Sequence, residues 1–206
     1  EPEALLRRNG CLVPRLARTP HGANAAFAPA ACAHVVTGGT GGLGLLTARW
    51  LAQRRGAHAL ALGSRAGVLV RSAAHEWTGV RATTAATLVQ RCDTAEGAHV
   101  QRLAARAPGA APATGAWHAA GVLADGVLPG QRAEALALVH APKAHGAAAL
   151  HCALSRAVML VHALFSSVAA LLGGAGQANY SAANACLDAL ASGRCVRVQA
   201  ATSVQW

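Results

Sequence analysis

The chain has 206 residues, a formal net charge of +10, 53% hydrophobic residues and only 3% aromatic residues. This length suits one domain plus a fragment, with a core of small aliphatic side chains. The longest apolar stretch, 157–164, is far shorter than the roughly 18 residues of a membrane span. The N-terminus has neither the basic start nor the apolar run of a secretory signal, and it lacks an initiator Met, which suggests an excerpt from a longer polypeptide.

The six cysteines form no C-x-x-C pair, which predicts reduced thiols in a cytoplasmic protein rather than a zinc cluster or a dithiol redox motif. The arginines are dispersed and few aromatics accompany them, which argues against nucleic-acid binding. The positive charge instead favours an acidic protein partner or a phosphorylated cofactor. No H-x-x-x-H pattern occurs among the ten histidines, so we predict no metal site.

Residues 1–30 show little periodicity beyond a short predicted strand over Leu12–Leu16, and we place a domain boundary near Ala30. Over 31–206, short β-type runs alternate with Ala/Leu-rich helical patterns, which predicts a parallel sheet covered by helices. Val68–Ala86 stays unassigned, and 107–113 is predicted to be a loop. The predicted strands are Ala33–Thr37, His58–Gly63, Thr87–Cys92, Gly115–His118, Val158–Phe165 and Ala200–Gln205. The predicted helices are Leu43–Arg54, Thr94–Arg106, Gly130–Ala141, Lys143–Ala153 and Asn179–Ser192.

A glycine-rich turn joins the first predicted strand of this region to the first helix. Glycines allow a tight turn and close approach to a pyrophosphate, whose charge is met by free amides at the helix N-terminus. A glycine cluster alone is a weak signal in a chain with 22 glycines, but the strand-to-helix context strengthens it. We predict that a dinucleotide is held here by Thr37, Gly38, Gly39, Thr40, Gly42, Leu43 and Gly44.

The tip of the second strand, Ser64-Arg65, carries no acidic residue of the kind that binds the ribose hydroxyls of NAD. Ser64 can hydrogen-bond and Arg65 can pair with an anion, so the tip suits the 2′-phosphate of NADPH. An arginine on a solvated turn is the alternative. Asp93, just after the third strand, is a candidate cofactor contact and also a candidate helix N-cap.

Ser167 lies thirteen positions before Tyr180, which suits a serine at a strand end that faces a tyrosine on the following helix. Tyr180 is the only tyrosine of the chain. A phenol has a pKa near 10, so acid catalysis at neutral pH benefits from a nearby cation. Structural roles are the alternative, because Ser167 could cap a helix and Tyr180 could be a core aromatic.

The spacing T-G-x-x-x-G-x-G over 37–44 resembles the short-chain dehydrogenase/reductase superfamily. Most members place a lysine four residues after the tyrosine, where this chain has Asn184. Ketoreductase domains of type I polyketide synthases resemble this chain more closely, because their lysine lies on the preceding helix, at the position of Lys143. The segment His118–Leu128 and the opening Leu12–Leu16 also resemble that family.

The resemblance implies an α/β fold: a Rossmann-like, doubly wound parallel sheet with helices on both faces. Residues 1–30 would be the tail of a preceding structural subdomain and its linker, and 31–206 the catalytic domain, incomplete at its C-terminus. The implied activity is the NADPH-dependent reduction of a β-ketoacyl thioester, bound to an acyl carrier protein, to a β-hydroxyacyl thioester. Other synthase domains would lie in the same polypeptide, with no nucleic acid or membrane as partner.

The resemblance also assigns roles. Tyr180 would donate the proton and Ser167 would bind the ketone oxygen. Lys143 would hold the nicotinamide ribose and favour tyrosinate, and Asn184 would position Lys143 or a relay water. Ala120 and Gly121 would join the residues that bind the cofactor.

Asp125 stands at the last position of the family's Leu-Asp-Asp fingerprint, and Leu172 replaces the tryptophan of the alternative fingerprint. This pattern resembles the B-type group and implies a D-configured 3-hydroxy product, although Ala124 and Ala175 depart from it. A fatty acid synthase ketoreductase, a catalytically silent scaffolding domain and a free-standing short-chain reductase are the alternatives.

Overall fold

The computed structural model describes residues 5–7, 10–12, 32–69, 73–108 and 113–206. Strands β1 (Leu5–Arg7) and β2 (Gly10–Leu12) form an antiparallel pair. The strand predicted over Leu12–Leu16 meets β2 only at Leu12. The rest of it, and the predicted boundary near Ala30, lie outside the described residues.

The described part of the chain contains one larger sheet of six parallel strands in the order β5-β4-β3-β6-β7-β8. This order and the covering helices confirm the predicted Rossmann-like α/β fold. Val158 and Leu160 were predicted within a strand, but they lie exposed ahead of β7. The strands are β3 (Ala33–Thr37), β4 (Ala59–Ser64), β5 (Ala86–Arg91), β6 (Ala113–His118), β7 (Val161–Ser166) and β8 (Thr202–Gln205).

The described helices are α1 (Gly42–Arg54), α2 (Ala74–Arg81), α3 (Gly97–Ala105), α4 (Ala133–His140), α5 (Gly146–Ala153), α6 (Ala169–Leu172) and α7 (Ala178–Val196). A 3₁₀ turn spans Leu128–Gly130. Helix α2 occupies part of the stretch that the sequence left unassigned. Helix α3 begins later than predicted because the Glu96 amide donates to Asp93 O and closes a turn there.

Buried side chains fill both faces of the sheet. Neighbouring β3 residues serve opposite faces, because Val36 packs with Leu45 and Leu51 of α1 while Val35 packs with Leu103 of α3 and Leu150 of α5. Helix α7 adds a third cluster through Leu187 and Ala191. Helices α1 and α2 therefore cover one face, and α3, α5 and α7 cover the other.

A π turn, Ala141–His145, joins α4 to α5 without a break. Pro142 lies inside this turn and has no backbone amide to donate to the residue four positions earlier. The Gly146 amide bonds to Ala141 O, five residues back, which is the wide spacing of a π turn. The sequence predicted two helices separated at Pro142, whereas the structure has one continuous helical segment.

The strand order reverses between β3 and β6, where the connections leave in opposite directions. In open parallel sheets, ligands bind in the crevice outside the carboxyl ends of the strands at such a point. Thr37 and His118 are the last residues of these two strands. The loops that follow them form the candidate site.

Candidate active site

The glycine-rich turn after β3 is held tightly against the end of β6. Gly38 has φ +69°, and a Cβ on it would lie 2.6 Å from the backbone of Ala119. A Cβ on Gly44 would lie 2.2 Å from Gly38 O, so α1 can start here only with glycine at this position. Gly39 packs similarly against Leu62. Close packing at these three glycines therefore shapes the loop.

The N-terminus of α1 faces open space. A Cβ on Gly42 would meet no atom within 4 Å, and the first turn of α1 contains no acidic residue. The N-cap residue is Gly41, which has no side chain to cap the first amides of the helix. Because those amides carry partial positive charge, an anionic group can bind there.

A cleft of about 300 Å³ begins at this loop and runs across the strand ends. Among the predicted cofactor residues, its lining includes Gly38, Thr40, Ser64, Arg65, Ala120 and Gly121. The Arg65 side chain is exposed at its edge, and Ser64 accepts a hydrogen bond from the Gly67 amide at 3.2 Å. The tip of β4 therefore borders the cleft with one hydroxyl and one guanidinium.

Asp93 lies between Cys92 and Thr94, which both line the cleft. Its Oδ1 accepts a hydrogen bond from the Ala95 amide at 3.0 Å, in the turn ahead of α3. This bond closes a turn ahead of the helix and does not cap it, because the N-cap residue of α3 is Glu96.

Lys143 is buried in the π turn, and its side chain reaches the end of β7. Its Nζ donates to Phe165 O at 3.1 Å and lies 5.2 Å from the centroid of the Tyr180 ring. Burial lowers the pKa of Lys143 to about 8, and the charge of Asp188 opposes that shift. The amine is therefore still charged at neutral pH, next to the only phenol of the chain.

Tyr180 lies in the first turn of α7, half-buried. Asn184, one turn later, is fully buried and donates from Nδ2 to Tyr180 O at 2.8 Å. Within the described residues, Asn184 Oδ1 has no hydrogen-bond partner. That oxygen can accept from an ammonium group or from a water.

Two serines end β7 and make different contacts. Ser166 Oγ donates to Asn184 O at 3.3 Å. Ser167 Oγ accepts from the Ala169 amide at 3.2 Å and donates to Trp206 O at 3.5 Å. The N-cap residue of α6 is Val168, so the Ala169 bond closes a turn ahead of that helix and Ser167 is not its cap.

A second cavity of about 200 Å³ brings together two of the four catalytic candidates, Lys143 and Tyr180, whereas Ser167 and Asn184 are not among its lining residues. Lys143, Ser166 and Tyr180 line it, together with Phe165 and Trp206. It shares Ala119, Gly121 and Val122 with the cleft at the phosphate loop, so one wall borders both. A ligand in the cleft and one in the cavity would meet at this wall.

Asp125 lies on the segment after β6, two residues past Leu123, which lines the cavity. Its Oδ2 accepts from Gln177 Nε2 at 3.1 Å. The Gly126 amide donates to Gly176 O at 2.8 Å, and Asn179 Nδ2 donates to Ala124 O at 2.8 Å. Three hydrogen bonds therefore tie this segment to the start of α7.

A family model described as the KR domain matches residues 32–206. The chain belongs to the KR, or ketoreductase, domain family of polyketide synthases. Polyketide synthase GfsB of Streptomyces halstedii is 44% identical over 172 residues, which are 84% of this chain and 3% of that protein. The ketoreductase thus spans a small part of the relative that it matches.

Solved ketoreductase structures have the same fold. One titled as an A1-type ketoreductase is 35% identical with a TM-score of 0.89, covering 99% of this chain and 43% of that one. Another, titled as A-type ketoreductases from a modular polyketide synthase, is 33% identical with a TM-score of 0.87, covering 99% and 44%. The chain is therefore an enzyme domain of the ketoreductase class.

Ketoreductases of this superfamily use nicotinamide cofactors, and the described residues fit such a group. The open space at Gly42, the uncapped α1 N-terminus and the cleft past Ser64 and Arg65 together suit a dinucleotide. No described helix is long and apolar enough to cross a membrane. The described ranges also hold no cluster of three His, Cys, Asp or Glu side chains able to bind a metal ion.

Three contributors to the site were missed in the sequence. Phe165 supplies the carbonyl that holds Lys143, Trp206 lines the cavity, and the buried His118 contacts Lys143 O. A histidine at the end of β6, where ligands bind in such sheets, was the available signal for His118. Phe165 acts through its backbone carbonyl and Trp206 through its place in the cavity wall, and no sequence motif indicates either contribution.

Proposed function

We propose that this ketoreductase reduces a β-ketoacyl thioester to a β-hydroxyacyl thioester with NADPH. The observation that carries the proposal is the charged Lys143 amine 5.2 Å from the Tyr180 ring, at a cavity that shares a wall with the phosphate-loop cleft. An acid and its supporting cation thus lie next to a dinucleotide cleft, which suits carbonyl reduction.

When bound, the nicotinamide supplies the hydride that forms the new C–H bond at the ketone carbon. Tyr180 gives its phenolic proton to the ketone oxygen, which forms the O–H bond and leaves a tyrosinate. The Lys143 ammonium stabilises that tyrosinate, and Ser167 donates a hydrogen bond to the oxygen as charge develops on it. Asn184 offers its free Oδ1 to Lys143 or to a water that returns a proton to Tyr180.

NADPH is preferred over NADH in this proposal because of the tip of β4. Ser64 and the exposed Arg65 border the cleft, and no acidic residue follows the strand there. A guanidinium can pair with a 2′-phosphate, whereas an acidic residue would repel it. Arg65→Ala should therefore weaken binding of NADPH much more than binding of NADH, as measured by titration with each cofactor.

The proposed proton donor is tested by Tyr180→Phe, which keeps the ring beside Lys143 and removes only the hydroxyl. We expect kcat to fall by about 100-fold or more, with NADPH affinity unchanged. The rate is followed as loss of NADPH absorbance with a β-ketoacyl N-acetylcysteamine thioester, and affinity by titration. Wild-type turnover by the Phe variant would refute the assignment, and loss of NADPH binding as well would point to misfolding.

The product is proposed to be the D-3-hydroxyacyl thioester. The support is Asp125 at the last position of the fingerprint, on a segment that its hydrogen bond to Gln177 ties to the start of α7. The overall likeness to A-type structures concerns the fold and does not bear on this choice. Chiral chromatography of the hydrolysed product tests it, and a predominantly L product would refute it.

The natural substrate is proposed to arrive on an acyl carrier protein, with other synthase domains in the same polypeptide. The support is the size of the matched relative, of which this chain spans 3%.

A further inference from the structure

A buried polar chain runs from the phosphate loop to the backbone of Lys143. Thr37, which precedes Gly38, places its Oγ1 2.7 Å from His118 Nδ1. His118 Nε2 lies 3.0 Å from Lys143 O. His118 is fully buried, and Thr37 is fully buried as well. The chain thus links the ends of β3 and β6 to the π turn.

The positions of the hydrogens in this hydrogen-bond chain follow from the groups at its two ends. A carbonyl oxygen only accepts, so His118 Nε2 carries the hydrogen and donates it to Lys143 O. Nδ1 then has a free lone pair and accepts from the Thr37 hydroxyl. Burial, and then the charge of Lys143, lower the pKa of His118 to about 4, so the neutral ring persists at working pH.

A second hydrogen bond holds the adjacent carbonyl of the π turn. Thr94 Oγ1 donates to Pro142 O at 3.1 Å, and Thr94 is buried. Gly146, which follows the turn, fits closely against both side chains. A Cβ there would lie 2.8 Å from Thr94 Cβ and 3.1 Å from His118 Cε1. Consecutive carbonyls are therefore each held by a side chain from a different strand end.

We propose that His118 and Thr94 are positioning residues that hold the π turn so that Lys143 reaches Tyr180. Neither side chain lines the cavity that contains Tyr180. Both act by fixing the position of the Lys143 backbone. Their role rests on the catalytic role proposed above for Lys143. Because Thr37 belongs to the same hydrogen-bond chain, His118 contacts both the residue before the phosphate loop and the backbone of Lys143.

The test uses paired substitutions in the full chain. Thr94→Val removes the hydroxyl and keeps the shape, and Thr94→Ser restores it. Because Thr94 also lines the cofactor cleft, rates are compared at saturating NADPH, where we expect Thr94→Val to lower kcat by about tenfold and Thr94→Ser to recover most of the rate. His118→Leu should lower kcat by about 100-fold, and His118→Gln, which keeps a donor for Lys143 O, should recover part of it.

A pH profile separates positioning from general damage. Burial holds the pKa of Lys143 at about 8. If Thr94→Val loosens the turn and lets water reach the amine, that pKa rises, so the alkaline fall of the reduction rate should move up by about one pH unit. The matched control is Thr83→Val. Thr83 Oγ1 donates to Val80 O at 2.7 Å, in the turn ahead of β5, and this variant should lose similar stability with an unchanged profile.

The Lys143→Met variant distinguishes failure of the catalytic role proposed for Lys143 from failure of the positioning role proposed for His118 and Thr94. If it keeps wild-type kcat, the catalytic role proposed for Lys143 fails. If it lowers kcat strongly but Thr94→Val and a folded His118→Leu keep the wild-type rate and profile, only the positioning role fails. In the Lys143→Met background, adding Thr94→Val should cause no further loss of rate; a further tenfold loss would overturn the proposal, since it would mean an effect independent of Lys143.

Discussion

Ser166 and Ser167 are adjacent in the sequence but point to different neighbours. Ser166 bonds to the backbone of α7 at Asn184, and Ser167 bonds to the Trp206 carbonyl across the cavity rim. The spacing to Tyr180 favours Ser167 as the group that meets the ketone oxygen. Its bond to Trp206 O is long, at 3.5 Å, so its hydroxyl can turn to a substrate at small cost.

We expect Ser167→Ala to lower kcat by about 100-fold, because one hydrogen-bond donor to the developing alkoxide is removed. Ser166→Ala should lower kcat by at least tenfold less than Ser167→Ala does, because the Ser166 hydroxyl already donates to Asn184 O. Steady-state rates with the N-acetylcysteamine substrate give both values. Ser181→Ala is the matched control, because Ser181 Oγ has no partner among the described residues. A larger loss from Ser166→Ala than from Ser167→Ala would reverse the assignment.

The spacing of Ser167, Tyr180 and Asn184 was readable from the sequence because all three lie within one strand-to-helix unit. Lys143 was found only through resemblance to a family, since nothing local ties it to Tyr180. The free Oδ1 of Asn184 and the carbonyl that Phe165 offers to Lys143 arise from packing between separate elements, so no sequence pattern could predict them.

At the scale of single elements, the end of α7 carries backbone strain. Val198 has φ +57°, a left-handed conformation that β-branched residues rarely adopt. The turn is closed by Val198 N to Cys195 O and by Gln199 N to Arg194 O, each at 3.0 Å. The Val198 side chain is 96% exposed, so its strain is not offset by burial.

Val198→Gly should raise the free energy of unfolding by about 1 kcal/mol, because glycine adopts this conformation without a Cβ penalty. Val196→Gly provides the opposite case. Val196 is also highly exposed, at 85%, but it lies in the last turn of the helix, where glycine costs about 0.5–1 kcal/mol. Urea unfolding of both variants checks the signs. A decrease for Val198→Gly would contradict the strain at this position.

Element prediction succeeded where burial was regular and failed where it was not. Strand β3 is buried along its whole length and was predicted to the residue. Helix α2 buries only Val80 among its residues, so its sequence carries no readable apolar stripe. The π turn was read as a break at Pro142, because the bonds from Thr94 and His118 that support it come from distant strand ends.

At the scale of the whole molecule, three buried histidines make the fold sensitive to acid. Burial lowers the pKa of His34 and His118 to about 4 and that of His162 to about 3, with the charge of Lys143 adding to the effect on His118 and that of Arg194 to the effect on His162. In the unfolded chain each titrates near 6.5. The unfolded state therefore binds more protons below pH 6.5, and the free energy of unfolding falls as the pH drops towards 4.

Each of these histidines removes about 3 kcal/mol of stability by pH 4, at about 1.4 kcal/mol per pKa unit. Together they match a typical domain stability of about 5–15 kcal/mol, so we expect unfolding between pH 6.5 and 4, followed by circular dichroism. His162→Leu should move the midpoint to lower pH, since neither ring nitrogen has a partner among the described residues. His58→Gln, at an exposed position, is the control. An unchanged midpoint in His162→Leu would contradict the role of burial.

Lys143 and Tyr180 belong to different helical segments, one before β7 and one after it. Their separation is therefore set by how two helices seat on the sheet, not by the pitch of one helix, as it would be for residues four positions apart. A small slip of either segment would part the pair while every helix stayed intact. In mild urea, turnover should fade before far-ultraviolet circular dichroism changes, so the reaction rate itself serves as a gauge of tertiary packing.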